Sequence, residues 1–341
     1  MKTEQILWTI LLSLAERIRS FKEPIHFASI QLSRSPRITI NEYPPQRKDC
    51  LEIDIILGSK QGLPDRSFAS VFQISDLLQI KQTGGPPLPE TMRAYQFRYL
   101  LFCFLPLYAR RQKKAVAVSH FAQSLDSFIA AENGESVKIG NKENFIHAHR
   151  MRALLDCVLI GAGTMRRDHP RLTVRHVSGP NPCRLVIGDS FDDISCLLEA
   201  APDPVWLMGT SHADAGKPAV TISMDRRRGL IPTEHILNEC YKRGLYSLYV
   251  EGGTFTTSLF LKENNLDIVQ LHISPFMLGS GRPSFNLAGE SKTPHARRFR
   301  IYRFSLVSRD IMFEGVPEKP GTEPLKPRPS GPRLPAGLNL N

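Results

Sequence analysis

Two glycine-rich turns offer the clearest chemistry in this sequence. The apolar run Cys157–Ile160 passes into Gly161-Ala162-Gly163-Thr164, and Ser247–Val250 passes into Glu251-Gly252-Gly253-Thr254. Small residues at the C-terminal end of a strand let a ligand approach the backbone, whose N–H groups bind phosphate. A helix opening near Thr254 would add the positive end of its dipole. Ligands of open α/β sheets lie beyond the carboxyl ends of the strands, so parallel, neighbouring strands would bring both turns to one edge. Either turn alone is more often structural. Neither is G-x-G-x-x-G, because Arg166 stands where the third glycine would fall.

A second candidate is the loop Asp168-His169-Pro170-Arg171-Leu172-Thr173-Val174-Arg175. Its two arginines offer the planar fork that suits phosphate or carboxylate. Spacing alone favours a solvated, turn-rich loop. The six cysteines include no C-x-x-C pair and are widely spaced, which excludes a zinc pattern and a small disulfide scaffold. Reduced thiols in a cytoplasmic protein are the expectation, with no metal.

These motifs need elements to hold them. From Ala115 onward, strand-like runs alternate with helical patterns: Ala115–Val118, a helix around Asn144–Leu155, then Cys157–Ile160. Arg184–Ile187, Val205–Met208, Ser247–Val250, Leu266–Ile273 and Ile301–Val307 read as further strands, and Thr256–Glu263 as a helix. That alternation predicts a layered α/β domain with a largely parallel sheet over residues 111–314. Residues 1–110 form a separate N-terminal region of unknown role. In it Leu51, Ile53 and Ile55 alternate with acids as a half-exposed strand, and Thr83-Gly84-Gly85-Pro86-Pro87 reads as a loop. Residues 315–341 contain seven prolines and no aromatic residue, which predicts a disordered tail.

With 41% hydrophobic and 23% charged residues, most of the 341-residue chain should fold around a core. The net charge of +11 favours anionic partners without choosing among them. Split by region it is +4, +5 and +2, so no concentrated basic arm points to nucleic acid. The run Arg110 to Lys114 lacks interleaved aromatics and reads as a solvated connector. At the N-terminus, Leu7, Ile10, Leu11, Leu14 and Ile18 share one helical face, so an amphipathic helix is expected rather than a signal peptide. The apolar stretch Tyr99–Ala109 is too short for a membrane span and reads as buried helix or strand.

Taken in order, the motifs resemble the reductase domain of riboflavin biosynthesis, as in the C-terminal half of the bifunctional pyrimidine deaminase–reductase. The family's S-L-D-G is met by Ser124-Leu125-Asp126-Ser127, and its H-x-x-R-A by His149 with Arg152-Ala153. D-A-x-x-V-G-x-x-T is met by Asp156 to Thr164, D-D-P-x-L-T-x-R by Asp168 to Arg175, and N-P-x-R-V-V by Asn181 to Val186. Glu251-Gly252-Gly253 and Leu278-Gly279-Ser280-Gly281 complete a set spanning residues 115–312. Two positions depart from it: Ser127 replaces a glycine, and His169 replaces the second acid of D-D-P.

The resemblance implies a three-layer α/β, dihydrofolate-reductase-like domain with a mixed, mostly parallel sheet, preceded by a smaller α+β region of unknown fold. It implies NADPH-dependent reduction of the ribosyl group of 5-amino-6-(5-phosphoribosylamino)uracil to the ribityl form, by a homodimer with no nucleic-acid or membrane partner. By match, Thr164, Asp168, Gly252, Gly253 and Thr254 contact NADPH. Asn141, Arg152, Leu172, Arg175 and Glu251 contact the substrate. Arg152 and Arg175 would clamp its phosphate, and Glu251 would bind sugar hydroxyls and relay a proton as the catalytic residue. Of Arg226-Arg227-Arg228, a solvated charge run is a more frequent reading than a 2′-phosphate site. The deaminase signature, H-x-E followed by P-C-x-x-C, does not occur, so no deamination is expected. A reductase of the same fold acting on another pterin-like or pyrimidine substrate, and a non-catalytic NADPH-binding scaffold, are the alternatives.

Overall fold

The computed structural model describes residues 2–20, 90–132, 139–191, 193–209, 219–287 and 297–319, together with five strands between residues 27 and 84. Helix α1 (Lys2–Ser20) opens the chain. Strands β1 (Phe27–Leu32), β2 (Arg37–Ile40), β3 (Leu51–Ile56), β4 (Val71–Ser75) and β5 (Leu78–Gly84) pair antiparallel in the order β2-β1-β3-β5-β4. Helix α2 (Glu90–Gln112) follows, and the expected buried stretch Tyr99–Ala109 lies within it. None of the helices is long and apolar enough to cross a membrane, among the described residues.

The main sheet begins at β6 (Val116–Ser124). The chain continues through β7 (Phe128–Ala130), α3 (Lys142–Leu154), β8 (Cys157–Gly161), α4 (Ala162–Asp168), β9 (Cys183–Ile187), α5 (Ser195–Leu198), β10 (Val205–Gly209) and β11 (Ala219–Ser223). It closes with α6 (Thr233–Lys242), β12 (Ser247–Val250), α7 (Thr254–Lys262), β13 (Ile268–Ser274), β14 (Arg282–Pro283), β15 (Phe299–Val307) and β16 (Asp310–Pro317). Among the described residues nine strands form one sheet, ordered β11-β10-β9-β8-β12-β6-β13-β16-β15. Every pair is parallel as far as β13, and β16 and β15 add an antiparallel edge. The mixed, mostly parallel sheet expected from the sequence is therefore present.

Strand periodicity divides the core into two halves. Val116, Val118, Val158, Ile160 and Tyr249 face one cluster, while Ala115, Ala117, Cys157, Leu159, Leu248 and Val250 face the other. Both faces are covered, which is why these strands read as unbroken apolar runs. Ile236, Leu237 and Cys240 of α6 and Phe260 of α7 close the second side. The first side holds Met151 and Leu154 of α3 together with α1 and α2.

The two helices flanking the antiparallel sheet thus share the reductase-like core. Leu11, Leu14 and Ile18 are buried there, and burying each contributes about 1.5–3 kcal/mol. Arg19 of α1 adds a 2.6 Å ion pair to Asp156, and Trp8 donates to the Ser178 carbonyl at 2.7 Å. At the other end, the expected tail boundary at residue 315 falls inside β16. Gly315 pairs with Val269 and Tyr302, and Val316 is buried, so the strand continues to Pro317. The remainder of the expected tail, residues 320–341, lies outside the described residues, as does the loop at 85–89.

Candidate functional site

Strands β8 and β12 are parallel neighbours, so both glycine turns emerge at one edge of the sheet. They are pressed together. A Cβ on Gly252 would stand 2.6 Å from Ile160 Cα and 2.9 Å from the Gly161 nitrogen. A Cβ on Gly253 would stand 2.8 Å from Thr164 Oγ1. Glycine is needed here for the close approach of one turn to the other, a constraint separate from the ligand approach expected of these turns. Gly253 also caps α7, and Gly161 caps α4.

Two cavities open on this edge, of about 870 and 960 Å³. Thr164, Arg167, Gly253 and Arg282 line both, so the cavities meet across the two turns. The first is bounded by the ends of β8 and β9, by α4 and by α7. Its wall carries Arg166, Arg167, Arg226, Lys262 and Arg282 against a single acid, Asp189, which pairs with Arg226. Such a wall suits a polyanion, and the cavity has the size of a cofactor site. Of the triple arginine run only Arg226 lines the cavity; Arg227 and Arg228 are exposed in a turn, with Arg228 at φ 52°.

The second cavity holds Glu251. Arg152, from the last turn of α3, donates from Nε to Glu251 Oε2 at 2.9 Å and from Nη2 to Oε1. Its Nη1 donates to the Thr173 carbonyl at 3.0 Å. The fork expected to face a phosphate is therefore turned onto Glu251. Arg175 is placed differently. It is exposed on the cavity rim, bonded through Nη1 to Thr173 Oγ1 at 2.8 Å, and shares the cavity with the Glu251 carboxylate, whose charge reaches it. Burial and then the charges of Arg152 and Arg171 lower its pKa, so this corner favours an anion.

The other expected residues divide. Thr164 lines both cavities and Thr254 the first. Gly252 is buried between the turns. Asp168 pairs with Arg167 at 2.8 Å and lines the second cavity rather than the first. Leu172, at φ 55°, turns its side chain into the core and lines neither cavity. Asn141 lines the second cavity while capping α3: its Oδ1 accepts from the Asn144 amide at 3.1 Å, and its Nδ2 donates to the Val307 carbonyl at 2.9 Å.

Three polar residues of the second cavity were given no role in the sequence reading, His149 being named there only as the first position of H-x-x-R-A. His149 accepts the Arg175 amide at Nδ1 (2.9 Å), and burial, followed by the charges of Arg152, His176 and Arg175, pushes its pKa down to about 3. It is neutral at working pH. His120 stands in the middle of β6 and Tyr249 near the end of β12, with 3.3 Å between His120 Nδ1 and the Tyr249 hydroxyl. Burial and then Glu251 hold the Tyr249 phenol well above its usual pKa. For Tyr249, a polar side chain on a buried strand face just before a glycine turn was the available signal.

The departures from the motif set also find places. Ser127 sits at φ 69°, the conformation a glycine would supply. His169 caps α4 at φ 42°, where Asp, Asn and His are all enriched. Asp126 reaches across the fold: its carboxylate accepts the amides of Leu278 at 3.1 Å and Gly279 at 2.7 Å. The S-L-D and L-G-x-G motifs are thus one structural unit.

Comparison with known proteins places this architecture. Residues 116–313 match the family model described as the RibD C-terminal domain. The chain is 26% identical over 178 residues to the 2,5-diamino-6-ribosylamino-4(3H)-pyrimidinone 5′-phosphate reductase of Aquifex aeolicus, covering 49% of this chain and 77% of that protein. It is 25% identical over 214 residues to the riboflavin biosynthesis protein RibD of Bacillus amyloliquefaciens, covering 58% of this chain and 56% of that one. A crystal structure of the deaminase/5-amino-6-(5-phosphoribosylamino)uracil reductase of Thermotoga maritima superposes with a TM-score of 0.56 at 25% identity, over 65% of this chain and 62% of the other. The match thus spans little more than half the length of the Bacillus RibD and of the Thermotoga protein.

Proposed function

This chain belongs to the RibD C-terminal domain family, and from that premise we propose that it reduces the ribosyl group of a phosphoribosylaminopyrimidine to the ribityl form with NADPH. The observation that carries this reading is the junction of two cavities across Thr164 and Gly253, with the Arg152–Glu251 pair on the substrate side. The bound cofactor supplies the hydride, delivered from the nicotinamide to C1′ of the opened ribosylamine. The protein's own residues do the positioning. Arg175, exposed at the rim with one guanidinium nitrogen on Thr173 Oγ1, takes the substrate phosphate there. Glu251 accepts hydrogen bonds from the sugar hydroxyls and relays protons: as C1′–O4′ breaks and the C1′=N imine forms, the nitrogen's proton passes to O4′, and the nitrogen takes up a proton when C1′ receives the hydride. Arg152 holds the Glu251 carboxylate in place rather than binding phosphate.

The cofactor wall supports NADPH over NADH. Arg166 and Arg226 stand where β9 ends, Arg166 donating to the Ser190 carbonyl at 3.1 Å and Arg226 paired with Asp189. A 2′-phosphate would compete with Asp189 for Arg226. The working unit is read as a homodimer, supported by an exposed apolar face at the sheet edge: Tyr302, Phe304 and Leu306 of β15 are 60%, 63% and 80% exposed.

Two substrates are to be separated, because the relatives' names divide between a diaminopyrimidinone and its deaminated uracil form. The test is direct. NADPH should raise the melting temperature, and NADPH absorbance at 340 nm should fall when one of the two pyrimidines is added. No stabilisation by NADPH would overturn the reading. Binding with oxidation by neither pyrimidine would leave the fold's other substrate classes or a scaffold role.

A further inference from the structure

A row of polar side chains crosses the sheet where its surroundings are apolar. In register, Arg303 of β15 lies beside Glu314 of β16, Glu314 beside Gln270 of β13, and Gln270 beside His120 of β6. Helices α2 and α3 cover this row and bond to it. Arg98 of α2 donates to both Glu314 oxygens, at 2.8 and 2.9 Å. Gln270 Nε2 donates to the same carboxylate at 2.7 Å, which leaves its carbonyl oxygen to accept from His147 Nε2 at 2.9 Å. Nε2 of His147 therefore carries the ring proton, and Nδ1, 2.7 Å from the Tyr99 hydroxyl, accepts the phenol O–H.

The direction of every bond is thus fixed from Arg98 round to Tyr99. Arg98, Tyr99, His147, Gln270 and Glu314 are all 8% exposed or less. Burial favours the neutral form of His147, and the Arg98 charge adds to that. A buried network joined by this chain of bonds holds a single geometry, while an apolar core would serve stability alone at least as well. The network ends at the cavity. The His147 ring stands edge-on to His120 at 4.5 Å, and His120 lines the second cavity with Nε2 buried and unbonded among the described residues.

We propose that helix α2, which lies outside residues 116–313, is a positioning element of the substrate cavity: Tyr99, acting through His147, fixes the placement of His120 on the cavity wall. The proposal rests on the reductase reading above for its kinetic arm only. It gives part of the N-terminal region a working role, because Arg98 and Tyr99 belong to α2 and the cavity to the sheet.

The test compares Tyr99→Phe, which removes one hydroxyl, with Phe104→Leu, which loosens the same buried helix away from the network. Histidine side-chain ¹⁵N resonances, melting temperature, NADPH affinity, and substrate KM and kcat are measured in the full chain. Both variants should melt lower. Only Tyr99→Phe should leave His147 Nδ1 without its donor while Gln270 keeps the proton on Nε2, shift the His147 Nδ1 and His120 ring resonances, and raise substrate KM about tenfold, with NADPH affinity unchanged. Unmoved His120 resonances in Tyr99→Phe, equal movement in Phe104→Leu, or an unchanged KM in a turning-over enzyme would each overturn the proposal. If the wild type reduces neither pyrimidine, the substrate reading fails, and the resonances still decide the positioning role.

Discussion

Arg152 and Glu251 are joined side by side: two nitrogens of the guanidinium bond to the two carboxylate oxygens, and the third bonds to the Thr173 carbonyl. The pair ties the end of α3 to the turn after β12, so one carboxylate is fixed in the wall of the second cavity, two residues before Gly253. Arg152 is nearly buried, and the Glu251 side chain retains 21% exposure toward the cavity. A carboxylate held in this way is oriented without being withdrawn from a ligand.

Glu251→Gln keeps the shape of the side chain and removes its basicity. It should lower kcat about 100-fold, the usual size of a general acid–base contribution, with little change in NADPH affinity. Arg152→Ala should lower kcat and stability together, because it leaves Glu251 without its partner. Steady-state kinetics with thermal melts separate the two. Wild-type kcat in Glu251→Gln would remove Glu251 from the mechanism.

The two glycines of the second turn should fail differently. Gly252→Ala forces a Cβ onto backbone atoms of β8 and should cost about 1–3 kcal/mol of stability by overpacking. Gly253→Ala meets only the Thr164 hydroxyl, which can rotate. It should leave the melting temperature nearly unchanged and weaken NADPH binding several-fold, measured by fluorescence titration. Equal losses of stability in both would contradict the cofactor role of Gly253.

Ser127 occupies a left-handed conformation at φ 69°. Ser127→Gly should stabilise the protein by up to about 1 kcal/mol, because relief of αL strain exceeds the added chain entropy. Ser127→Val should destabilise it by about 1–3 kcal/mol. Chemical denaturation of the three proteins would rank them.

The sequence carried the strands and both glycine turns because period-two burial and small-residue turns are local signals. Cys157–Ile160 and Ser247–Val250 were readable without any partner. Pairings between distant residues were not. Arg152 looked like a phosphate ligand because nothing in its neighbourhood names Glu251, 99 residues away, as its partner. Leu172 looked like a contact residue, yet a positive φ turns its side chain into the core. His120 was passed over because its importance lies in Tyr249 and His147, which sit on other elements. The N-terminal helices likewise showed their apolar faces but not the surface those faces cover.

Acid should loosen the fold in two steps. His149 is neutral when folded, with its pKa pushed down to about 3 by burial and neighbouring cations, and His120 and His147 are shifted the same way. Between their folded pKa values and about 6.5 the unfolded chain binds more protons. Stability is therefore full above pH 6.5 and falls as pH drops below it. Glu314, buried, is held at about 2 by Arg98 and Arg303 despite the opposing effect of burial, so its contribution is lost between pH 4.5 and 2. His149→Gln should flatten the melting-temperature curve between pH 6.5 and 5. An unchanged slope would show that His149 protonates freely in the folded state.

On the proposed reading of the first cavity, Arg226 is the residue to distinguish NADPH from NADH. It lines the first cavity at the end of β9, paired with Asp189, while its neighbours Arg227 and Arg228 face solvent. One charge-assisted bond to a phosphate is worth about 1.5–3 kcal/mol, so Arg226→Ala should weaken NADPH binding about 10- to 100-fold. NADH, which lacks the 2′-phosphate, should be affected much less. Asp189→Asn releases Arg226 from competition and should tighten NADPH relative to NADH. Calorimetry with 2′-phospho-AMP and AMP reads the same preference without turnover. Equal losses for both nucleotides in Arg226→Ala would place the 2′-phosphate elsewhere on the wall, with Arg166 the next residue to change.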